Sequence, residues 1–156
     1  LSNQTDLSRT EAKALIDTYY ATYPKLRAYI ADQVDFARDN GYVKTISDRR
    51  RYLKDINSRN AVVRGAAERN AVNAPIQGSA ADIIKIAMIR IHDQLKKGGF
   101  KTKMLLQVHD ELVFDVFKPE LESIKALIKS EMENAYTMIV PLDVELDTGE
   151  NWLEAH

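Results

Sequence analysis

Cysteine is absent from all 156 residues. That excludes disulfides, thiolate nucleophiles and cysteine-built zinc sites, and it agrees with a reducing compartment. No apolar run approaches the roughly 18–20 residues that a membrane-spanning helix needs, and no signal-peptide pattern opens the chain. Histidine is scarce, with His92, His109 and His156 the only three. Internal repeats and low-complexity stretches are missing as well. What remains is ordinary: 45% hydrophobic and 29% charged residues with a formal net charge of −1. Such a composition predicts one globular domain with a sizeable core. The first residue is Leu1 rather than Met, which raises the expectation of a piece of a longer protein.

The small net charge conceals an asymmetry. Between Lys44 and Arg69 stand eight basic residues against three acids, whereas from Asp110 onward twelve acids face three lysines. The basic block suits phosphates, and the acidic part suits either a metal ion or plain solubility.

Ser8-Arg9-Thr10-Glu11 has the form of a capping box, and Leu15, Ile16, Tyr19 and Tyr20 behind it follow helical spacing to about Thr22. Pro24 suits the first turn of a second helix with Leu26, Tyr29, Ile30, Val34 and Ala37 on one stripe, ended by Asn40-Gly41. Residues 42–46 and 50–53 predict two short strands. A third, alanine-rich helix is expected over 59–72, interrupted at Asn73-Ala74-Pro75 because proline lacks the N–H that a helix interior needs. The next helix, from Pro75 to about Lys96, would face a core with Ile83, Ile84, Ala87, Met88 and Ile91, and His92 on it reads as structural. After Gly98-Gly99 the period changes. Residues 104–108 and 112–116 predict strands, Pro119 opens an amphipathic helix, and 141–146 predicts a last strand. The tyrosines Tyr19, Tyr20, Tyr23 and Tyr29 are expected in the core or at its boundary. The fold class is α+β, helices with a small antiparallel sheet.

Two clusters carry chemistry. His109-Asp110-Glu111 joins two apolar runs without the Asn-Gly or Asp-Gly that tight hairpins prefer. A break of a local rule is expected at functional sites. Adjacent carboxylates in apolar surroundings repel, and a hard divalent cation relieves that cost. A polar hairpin tip in solvent would have the same local sequence. The second cluster is Arg69, Asn73 and Gln77, spaced four apart. On one helix they share a face, where amides suit base edges and arginine suits phosphates or groove acceptors. A solvated face with a helix cap at Asn73 is the plain alternative. Arg49-Arg50-Arg51 is a weaker signal, because strand side chains alternate and at most two of the three can meet one phosphate surface.

Together, the segments Ala67-Glu68-Arg69 through Asn73-Ala74-Pro75-Ile76-Gln77-Gly78 to Lys85, then Gln107-Val108-His109-Asp110-Glu111-Leu112-Val113, then Gly149-Glu150-Asn151-Trp152, resemble the family A DNA polymerases of bacteria. The similarity extends over Tyr23-Pro24, Gly41-Tyr42-Val43 and Arg49 to Leu53. The resemblance implies a C-terminal fragment, with about 1–97 as the end of the fingers and connecting helices and about 98–156 as part of the palm. It implies template-directed transfer of a nucleotide from dNTP to a primer 3′ end by a two-metal mechanism, in DNA replication and repair, in the cytoplasm at the nucleoid.

Under the same resemblance Asp110 holds catalytic Mg2+, Glu111 is an auxiliary carboxylate near two such ions, and His109 touches the primer terminus. Arg69, Asn73 and Gln77 match positions that contact primer–template DNA along the minor groove. The family motif bearing the first catalytic aspartate, similar to Asp-Tyr-Ser-Gln-Ile-Glu, does not occur in these residues. The helix that clamps the dNTP triphosphate does not occur either. The chain alone is therefore expected to be inactive, with apolar faces that favour self-association. The alternatives are a non-catalytic nucleic-acid-binding module, or a metal phosphohydrolase built on His109-Asp110, which the shortage of histidines disfavours.

Overall fold

The computed structural model describes residues 7–155. Its elements run α1 (Arg9–Thr22), α2 (Pro24–Asn40), β1 (Tyr42–Lys44), β2 (Arg50–Tyr52), α3 (Ala61–Lys97), β3 (Lys103–Val108), β4 (Glu111–Asp115) and α4 (Leu121–Glu133), with a 3-10 turn Lys118–Glu120 leading into α4. The chain divides into two compact units, one ending at Ile76 and the other beginning at Gln77. The α+β class holds, but the strands form two separate two-stranded antiparallel sheets rather than one.

In the first unit the capping box at Ser8 forms as the sequence predicts. Ser8 N donates to Glu11 Oε2 at 2.9 Å, and Glu11 N donates back to Ser8 Oγ at 3.3 Å. The hydroxyl contact holds the Glu11 carboxyl below its ordinary range. Gly41 closes α2 at φ 75°, a left-handed conformation that glycine adopts without a Cβ penalty. The chain then turns directly into β1, where Val43 is buried beside Ala37, Leu53, Ile56, Ala67, Ala71 and Ala74. Four of these seven core residues are alanines, with Leu53 and Ile56 the largest.

Helix α1 buries only Ala12; Leu15, Ile16, Tyr19 and Tyr23 are exposed. The expectation that Tyr19 and Tyr23 are core or boundary residues fails, since their tilted rings meet each other at 5.0 Å while half their surface remains open. Tyr20 and Tyr29 are half-buried, as expected.

The predicted break at 73–75 does not occur: α3 is one helix of 37 residues with Pro75 inside it. An interior proline costs about 3 kcal/mol in an isolated helix. Here Ala71, Ala74 and Pro75 are all buried, and the packing of that stripe outweighs the local penalty.

The second unit has the larger side chains. Ile91, Leu95, Ile124 and Ile128 form its centre with Ala87 and Ala135, flanked by Leu112, Phe114, Leu127, Met132 and Leu146. Helix α4 turns Ile124 and Ile128 fully inward, as its spacing predicts. Arg90 Nη1 donates to the Asn134 carbonyl at 2.6 Å, satisfying an acceptor at the end of α4.

The strand predicted at 141–146 is not one. Burial there alternates with period two, Leu142, Val144 and Leu146 being half-buried and their neighbours exposed, yet no ladder pairs with it among the described residues. Periodicity reports which side chains face a core, whereas a strand also requires a partner backbone.

Candidate functional site

Strands β3 and β4 pair from Lys103↔Asp115 to Val108↔Glu111, with a bulge between Met104 and Leu106. The loop is therefore two residues, His109 and Asp110, and Glu111 already belongs to β4, one residue earlier than the sequence predicts. His109 lies at φ 53° while Asp110 keeps a negative φ. A positive φ at the first central residue alone is the sign pattern of a type II′ turn, where glycine is usual. A non-glycine residue there costs on the order of 1 kcal/mol or more, and such strain is concentrated at working sites. Gln107 Nε2 donates to the His109 carbonyl at 2.7 Å and braces the turn from within the hairpin.

The two faces of β4 separate the site from the core. Leu112 and Phe114 pack into the second core, so period-two geometry sends Glu111 and Val113 to the opposite face. Their cross-strand partners Val108 and Leu106 share that face, and Leu106 is exposed. Glu111 is thereby half-buried beside an apolar ribbon, while His109 and Asp110 are exposed at its tip.

The far end of the hairpin is locked by a network that sequence reasoning missed. The Glu120 carboxylate accepts from Lys101 N at 3.0 Å, Thr102 N at 3.0 Å and Thr102 Oγ1 at 2.7 Å. Thr102 Oγ1 in turn accepts from Phe117 N at 3.2 Å. The backbone donor of Lys101, then the Thr102 bonds, hold the Glu120 carboxyl below its ordinary value. No local pattern announces this, because the partners lie 18 and 15 residues apart.

Asp110 and Glu111 supply the hard oxygen donors that suit Mg2+, which is commonly held by one or two carboxylates together with substrate phosphates and water. Among the described residues no three His, Asp or Glu side chains converge to make a complete cage. The donor chemistry therefore fits Mg2+ held by one or two carboxylates with its other ligands from substrate and water.

Arg69, Asn73 and Gln77 are all exposed on α3. At about 100° per residue, Arg69 and Asn73, four apart, lie about 40° from one another on the helix surface. The buried stripe Ala71, Ala74 and Pro75 occupies the other side, so Arg69 and Asn73 point outward. Arg69 and Asn73 belong to the first unit, and Gln77 opens the second. His92 is exposed on α3, and no helix among the described residues is long and apolar enough to cross a membrane.

Known proteins resemble this chain over nearly its whole length. The family model described as DNA polymerase family A matches residues 1–154. DNA polymerase I of Streptococcus pneumoniae serotype 4 is 55% identical over 155 residues, which are 99% of this chain and 18% of that protein. The thermostable DNA polymerase I of Thermus filiformis is 48% identical over 155 residues, again 99% of this chain and 18% of the relative. Among solved structures, the POL domain of Pol1 from M. smegmatis, in complex with DNA primer-template and dNTP, superposes with a TM-score of 0.97 at 46% identity. It is matched over 99% of this chain and 27% of its own. The chain thus spans under a fifth of the length of these curated relatives.

Proposed function

The chain belongs to DNA polymerase family A, and we propose that it supplies one carboxylate pair and part of the DNA-contacting surface of a template-directed DNA polymerase. The observation that carries this reading is the Asp110–Glu111 pair at a strained two-residue turn on an apolar hairpin anchored in a core. In this proposal residues up to about 97 are the end of the fingers and connecting helices, and those from about 98 are part of the palm.

Asp110, with Glu111 beside it, would hold Mg2+. Bound there, the ion supplies positive charge where the primer 3′ oxygen and the departing pyrophosphate accumulate negative charge. His109 presents its imidazole at the tip of the turn, where it orients the primer terminus as a hydrogen-bonding group. Arg69, Asn73 and Gln77 offer N–H donors to the minor-groove acceptors of the nascent pair, which every base pair presents. Contacts of this kind hold primer–template DNA without demanding a particular sequence. The substrates are primer–template DNA and dNTP, and the setting is replication and repair in the bacterial cytoplasm at the nucleoid.

The 156 residues lack the family's first catalytic aspartate motif and its triphosphate-clamping helix. The chain alone is therefore expected to bind primer–template without extending it. Primer extension tests both halves of the reading. The purified chain with Mg2+ and dNTP gives no product, and adding a polypeptide that carries the missing motifs gives synthesis that Asp110→Ala abolishes. Synthesis by the chain alone, or reconstituted synthesis indifferent to Asp110→Ala, would refute it.

A further inference from the structure

We infer that the open face of the β1–β2 hairpin is a stacking platform for single-stranded nucleic acid, distinct from both clusters above. The register pairs Tyr42 with Tyr52, Val43 with Arg51 and Lys44 with Arg50. Because Val43 is buried, period-two geometry gives the other face to Tyr42, Lys44, Arg50 and Tyr52. Two aromatic rings and two cations thus occupy four adjacent positions on one face. The rings meet edge to face with centroids 5.7 Å apart, Phe36 meets Tyr42 edge-on at 5.7 Å behind them, and Tyr52 is 67% exposed.

The charges argue for a ligand. Lys44 directly opposite Arg50 is a like-charge cross-strand pair, which destabilises a sheet. It is tolerated because Lys44 reaches Asp48 at 3.0 Å and the Arg50 guanidinium lies over the Tyr42 ring at 4.7 Å. Elsewhere in this unit Arg38 and Arg64 both pair with Glu68. By contrast, Arg50 on this face has no carboxylate partner among the described residues although it is exposed, and Arg51, across from Val43 on the other face, has none either. An aromatic surface beside a guanidinium that no carboxylate neutralises is what an unpaired strand requires. Its bases stack on rings of any sequence, and its phosphates meet the cations. A duplex keeps its base faces internal and cannot use Tyr52 in this way.

The test is fluorescence anisotropy of the full chain with a labelled oligothymidylate of about 12 nucleotides. Tyr52→Leu keeps apolar bulk but removes the π-face, and it is expected to weaken binding about tenfold, whereas Tyr52→Phe binds as the parent. Arg50→Ala is expected to weaken binding and to reduce the salt slope by about 0.7. Circular dichroism confirms that each variant is folded, and should Tyr52→Leu not fold, Arg50→Ala decides. Parent-like binding by the folded Tyr52→Leu or Arg50→Ala variant would overturn the inference. So would competition by polyglutamate as effective as by unlabelled oligothymidylate, which would mark an acidic-peptide surface. The polymerase reading fails separately, through primer–template binding that persists undiminished in Arg69→Ala, a result that leaves the Tyr52→Leu outcome untouched.

Discussion

At the scale of single residues, the turn residue His109 and the carboxylate of Glu120 contribute to stability in opposite senses. His109 occupies a backbone conformation that glycine would adopt without cost. His109→Gly is therefore expected to raise unfolding stability by about 0.5–1 kcal/mol in urea titrations. A decrease would show that the imidazole makes stabilising contacts at the turn. Glu120 has a lowered folded pKa, so it stabilises the fold at pH values above the unfolded value near 4.5. That contribution fades as pH falls through the lower folded value. Glu120→Gln should therefore lower the urea midpoint at neutral pH and lose less stability than the parent on acidification. Identical pH profiles would contradict this role. The acid pair was legible in the sequence because two carboxylates interrupt two apolar runs without a turn residue. Gln107 and the Thr102–Glu120 network were not, because a hydrogen bond between distant segments leaves no periodic trace.

At the scale of elements, local signals held wherever local physics decides. The capping box at Ser8, the glycine stop at Gly41 and the inward stripe of α4 all occur where residue spacing puts them. Ile124 is 1% exposed at the centre of the second core, so Ile124→Ala should cost about 2–5 kcal/mol by urea unfolding. A loss under about 1 kcal/mol would mean that the α4 contact is not central. The misjudged elements are those whose fate depends on distant partners. Pro75 reads as a break, yet buried neighbours carry α3 through it. Residues 141–146 read as a strand, and their side chains alternate accordingly, but the ladder is missing among the described residues. Tyr19 and Tyr23 read as core or boundary residues, but they are exposed near the end of α1.

At the scale of the whole molecule, large apolar side chains remain uncovered: Leu15, Ile16, Tyr19 and Tyr23 in one unit, and Ile139, Val140 and Leu153 in the other. Such surface favours association. Sedimentation velocity is expected to show a weight-average mass that rises with concentration and falls in Leu15→Glu/Ile139→Glu, whereas a concentration-independent monomer would contradict it. The central claim is that the acid pair is one partner of a divided polymerase site, and reconstituted primer extension tests it most directly. With a polypeptide carrying the missing aspartate motif and dNTP-binding helix, the parent chain should restore Mg2+-dependent synthesis, and Asp110→Ala should reduce it at least about 100-fold while primer–template binding persists. Undiminished synthesis by Asp110→Ala would contradict the claim.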